Sequence, residues 1–135
     1  MNRARALLLL LLLAGCQLPG ERAPLRLLPE DGPPLPFAEL LTRARAQATA
    51  ATEAFYVNKW SDLEEAAKGL VQTARFLDKA TDVPAKHTDT LPVVAGDLRK
   101  DAAALQEAAK AQDVKKSGDL LQQIHLKIRE LRLEG

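Results

Sequence analysis

Four stretches of this chain carry apolar residues, mostly leucine and alanine, at the same spacing, and that repeat constrains the fold more than any other feature. Phe37, Leu40, Leu41, Ala44, Ala48, Ala51 and Phe55 fall three and four residues apart. Such spacing lines up one face of a helix and predicts a first helix over residues 36–56. Leu63, Ala67, Leu70, Ala74 and Leu77 then repeat at 4-3-4-3, the seam of a helix packed in a bundle. Ser61-Asp62-Leu63-Glu64 ahead of them has the form of a capping box, so the second helix is expected to start there and to run to about Lys79. Residues 80–90 read as a polar loop containing Pro84. A third helix begins near Leu91, with Pro92 in its first turn, where a missing N–H costs nothing. Its seam is Leu91, Ala95, Leu98, Ala102, Leu105 and Ala109. Asp113 is placed to cap a fourth helix carrying Leu121, Ile124, Ile128 and Leu131. No segment alternates with period two, so no strands are expected. Four amphipathic helices with short connections specify an all-α fold, an antiparallel up-down-up-down four-helix bundle over residues 37–133. Gly69, Gly96 and Gly118 fall inside the helices, where each costs about 1 kcal/mol relative to Ala. A close helix contact and tolerated slack are both open readings.

The first 36 residues do not share this pattern. Arg3 and Arg5 precede an apolar run, Ala6 to Ala14, that includes seven consecutive leucines. The run is shorter than the roughly 20 apolar residues a bilayer span requires, so it reads as a signal peptide over residues 1–15. It ends Leu13-Ala14-Gly15-Cys16, which resembles the lipobox of bacterial lipoproteins. The resemblance implies cleavage before Cys16 and lipid modification of its thiol. Gln17 in place of an aspartate then implies the outer membrane of a two-membrane host, with the domain facing the periplasm. Acyl chains on Cys16 would make the attachment lasting, since each buried methylene contributes about 0.8 kcal/mol.

Removing the leader takes away two of the 19 basic residues and none of the 18 acidic ones, leaving a net charge of −1. A near-neutral domain without a basic cluster argues against nucleic acid as a partner. Cys16 is the only cysteine, so no intramolecular disulfide can form. Six of the eight prolines lie within residues 17–36, which read as a semi-rigid spacer or a disordered tether. Fully extended, that segment would hold the domain roughly 50–60 Å from the lipid.

The chemistry-bearing residues are few. There is no glycine-rich phosphate loop and no nucleophile–base pair, and the acidic residues are spread along polar helix faces. His87, beside Thr88 and Asp89, reads as a solvated loop residue. The fourth helix runs Leu121-Gln122-Gln123-Ile124-His125-Leu126-Lys127-Ile128-Arg129. This resembles the haem-attachment helix of the cytochrome c′ family, in which C-x-x-C-H is followed by an aromatic residue and an arginine. On that pattern Leu121 and Ile124 stand at the cysteine positions, His125 at the axial-ligand position, Ile128 at the aromatic position and Arg129 at the arginine. A Trp at the start of the second helix and an Ala-rich third helix fit the same family. The missing cysteines exclude covalent haem. The related cytochrome b562 type holds haem non-covalently between a Met and a His, but the only Met here is Met1. His125 follows a core position and is expected to be a partly buried structural histidine, with a haem or metal ligand as the alternative. The sequence thus points to a lipid-anchored, haem-free bundle with no cofactor and no catalysis, in a structural role or binding an envelope protein partner.

Overall fold

A computed structural model describes residues 26–132. The lipobox, Cys16 and the leader lie outside the described residues. Four helices account for most of the rest: α1 (Phe37–Tyr56), α2 (Trp60–Asp78), α3 (Leu91–Lys110) and α4 (Val114–Glu130). Each packs on its neighbour in sequence, and α4 closes on α1, so the four form a bundle. The α1–α4 seam is the least extensive of the four. Among the described residues there is no strand, only an isolated bridge between Pro36 and Thr81.

The seams define the core. Leu40, Leu41, Leu63, Leu70, Leu77, Leu98, Leu105, Ile124 and Leu131 are fully buried, and alanines at 44, 48, 51, 67 and 102 let the helix backbones approach. Burial of this kind contributes about 25 cal/mol per Å² of apolar surface and is the main favourable term in the fold. One buried polar pair interrupts it: the Thr73 hydroxyl donates to Gln47 Oε1 at 2.7 Å across the α1–α2 interface.

The two tight turns are built alike. At the end of α1, Asn58 has φ 57°, its N–H donates to the Phe55 carbonyl, and the Lys59 N–H donates to Ala54 at 2.9 Å. At the end of α3, Gln112 has φ 52°, its N–H donates to Ala109, and the Asp113 N–H donates to Ala108 at 2.9 Å. Both are Schellman motifs, which satisfy the last helical carbonyls and reverse the chain. Asp113 also caps α4, its carboxylate accepting from the Lys116 N–H at 3.0 Å.

The start of α2 differs from expectation. The helix begins at Trp60, with Lys59 at the N-cap and no side-chain cap. The Schellman turn already fixes Lys59 as the point of reversal, so Ser61 and Glu64 lie within the helix and the capping box does not form.

The proline-rich segment also departs from its expected role. Residues 26–36 are a strap laid along the α1–α2 face. Gln72 on α2 clamps it: the Leu28 N–H donates to Gln72 Oε1 at 2.6 Å, and Gln72 Nε2 donates to the Leu28 carbonyl at 2.5 Å. The Arg43 guanidinium donates to the Arg26 carbonyl. Near α1, the Thr81 N–H donates to Leu35 at 3.0 Å and the Phe37 N–H to Thr81 at 2.8 Å. Leu28 and Leu35 pack on the core. A spacer spanning the whole of residues 17–36 is therefore incorrect for its second half. Leucines at 28 and 35 have apolar surface to bury, and one glutamine satisfies the backbone between the prolines.

Candidate functional site

His125 lies on the α1–α4 seam, where helix packing is thinnest. It is exposed, and its ring turns from the core towards α1. Its Nε2 is 2.8 Å from the Thr52 hydroxyl. Thr52 donates its own proton to the Ala48 carbonyl at 2.9 Å. The arrangement that satisfies both contacts has Nε2–H donating to Thr52 Oγ1. Thr52 is then an acceptor with its proton already committed, and the pair does not constitute a nucleophile and base. The expectation of a partly buried His125 is corrected: the residue follows the core position Ile124, and one step along a helix turns a side chain by about 100°.

A haem held in the bundle core does not fit these residues. His125 faces the outer seam, and Leu121 and Ile124 fill the interior beside it. The described residues include no Met, so none of them sets a thioether across the bundle. Among the described residues no three His, Cys, Asp or Glu side chains converge on a point that would hold a metal ion.

The other histidine is the structural one. His87 lies in a single 3-10 turn, Ala85–His87, and is only 7% exposed. Its Nε2 is 2.6 Å from the Arg132 carbonyl, just past the end of α4. Its ring stacks on Phe37, with centroids 5.6 Å apart. The solvated loop residue expected at this position is thus a buried bolt joining the start of α1 to the end of α4. Nothing in a loop sequence marks such a contact, because its partners are a backbone carbonyl 45 positions away and a ring on another helix.

An open groove runs between α3 and α4, lined by Asp97, Asp101, Leu126, Lys127 and Glu130 among others. Lys127 Nζ is 3.8 Å from Asp97. Partial burial raises the Asp101 carboxyl above the ordinary aspartate range; Lys127 opposes the shift and Asp97 adds to it. Alternating charges along an open surface neutralise one another and leave no isolated acid–base pair.

Gln72, Gln47 and Arg43 escaped the sequence reading. The one available signal was a glutamine on a buried helical face, which needs a partner wherever it is found. No family model, curated protein or solved structure matches this chain.

Proposed function

We propose that the chain is a lipid-anchored protein of the bacterial envelope, held by an acylated Cys16, whose haem-free bundle serves a structural or protein-binding role without catalysis. The observation that carries this reading is the Leu13-Ala14-Gly15-Cys16 sequence behind a basic, leucine-rich leader. Two features support it. No helix among the described residues is long and apolar enough to cross a membrane, and Cys16 is the only cysteine available for acylation. The strap holds the chain from Arg26 onward against the bundle, and the residues between Cys16 and Arg26 are the ones left to connect it to the anchor.

The test is direct. Mass spectrometry of the N-terminal peptide from the chain expressed in bacteria should show Cys16 as the first residue, carrying acyl chains. Cys16→Ser should move the protein from the membrane fraction to the soluble one. An intact leader, or a Cys16→Ser protein that stays with the membrane, would overturn the reading.

A further inference from the structure

Of the large apolar residues exposed among the described residues, Leu27, Val93 and Leu126 stand apart, and the other three stand at the end of the bundle opposite the start of α1. Tyr56, Val57 and Val114 are 76, 61 and 60% exposed. Beside them the Phe55 ring meets Tyr56 at 5.6 Å and Trp60 at 6.2 Å, both edge-on. The tip of the Phe55 ring lies 3.5 Å from where a Cβ on Gly118 would stand. Val114 is one turn before Gly118 on the same face of α4, so both tight turns contribute to one patch. The sequence around it carries both signs, Lys59, Lys115 and Lys116 against Asp62, Asp113 and Asp119, and Lys115 pairs with Asp119 at 3.1 Å. What remains is an uncharged cluster of Tyr, Trp and Val, the residue types suited to the boundary between headgroups and acyl chains.

The chain length available fits this placement. Arg26 sits beside Arg43, about 20 Å below the level of Tyr56 at 1.5 Å per helical residue. Residues 17–25 span at most roughly 30 Å. A chain anchored at Cys16 therefore allows this end of the bundle to reach the bilayer that holds the anchor, and tethering makes the contact intramolecular in effect.

We propose that the tip formed by Tyr56, Val57, Trp60 and Val114 seats in the headgroup region of the anchoring membrane and lays the bundle against it. This rests on the anchored reading above. Contact is through apolar surface and not through recognition of anionic lipid, because the local charges cancel.

Trp60 is the only tryptophan, so its emission reports on the tip. The full chain as recovered from bacteria is placed in phosphatidylcholine vesicles with brominated acyl chains. Trp60 should shift to the blue and be quenched at least twofold, equally in low and high salt. The surface variant Tyr56→Ser/Val57→Ser/Val114→Ser, equally tethered and equally helical by circular dichroism, should lose the quenching. Unmoved wild-type emission, or quenching that survives in the triple variant, overturns the proposal. A blue shift that grows with protein concentration in the absence of vesicles also overturns it, in favour of contact between tips of two copies. The Cys16 peptide mass tests the anchor separately. If the thiol is free, it is coupled to a maleimide-bearing lipid in the same vesicles and the emission is read again. Quenching then sustains the tip contact while the anchored reading falls, and its absence overturns the tip contact too.

Discussion

At the scale of single residues, the two histidines have exchanged the roles that their neighbours in sequence suggested. His87 gives up a hydrogen bond and a ring stack on truncation, terms of about 1 kcal/mol each. His87→Ala should destabilise the fold by about 1–3 kcal/mol in urea denaturation. His125→Ala removes one exposed contact to Thr52 and should stay within about 0.5 kcal/mol of wild type by the same measurement. The helical glycines separate in the same way. A Cβ on Gly96 meets nothing within 4 Å, whereas one on Gly69 would stand 2.7 Å from Gln47 Nε2. Gly96→Ala should gain about 1 kcal/mol from helix propensity. At Gly69 the clash falls on a buried glutamine already bonded to Thr73, so Gly69→Ala should give a lower melting temperature despite the same propensity gain. Spacing alone could not distinguish these glycines, because the difference lies in what a neighbouring helix brings opposite each one.

Among the elements, the helices were the legible part and the strap was not. Leucine and alanine at threes and fours dictate which face is buried whatever the partner helix, so α3 and α4 begin where the sequence places them. The capping box failed because the turn before it competes for the same residues. The strap was unreadable because prolines signal extended backbone without saying where it lies, and Gln72 is remote from it in sequence. Gln72→Ala should release the strap, with the Leu28 amide exchanging its hydrogen at least tenfold faster by mass spectrometry while the bundle amides keep their protection. The α3–α4 groove supplies a prediction in pH. Asp101 holds its proton to higher pH in the folded chain than in the unfolded one, so the folded state gains stability from this group as the pH falls and loses it as the pH rises through the raised value. Asp101→Asn should therefore raise the melting temperature at pH 7. The gain should vanish as the pH drops below the ordinary aspartate value of 3.8.

For the whole molecule, stability rests on one continuous apolar interior, with satellite contacts from the strap and from His87. Leu121 is 4% exposed within that interior, and Leu121→Ala should cost about 2–5 kcal/mol in chemical denaturation. The sequence could show that such an interior exists; which apolar residues stay exposed is a property of the assembled bundle, since Tyr56, Val57 and Val114 come from two separate turns. The ring of interfaces carries a consequence in time as well as in energy. Three of the four join helices adjacent in the chain, while the α1–α4 closure, the His87 contact and the docking of the strap must wait for distant segments to meet. Low contact order of this kind belongs to chains that fold in microseconds to milliseconds. A chain that emerges helix by helix thus pairs α1 with α2 and α2 with α3 before α4 arrives, which keeps short the interval in which its leucines face water.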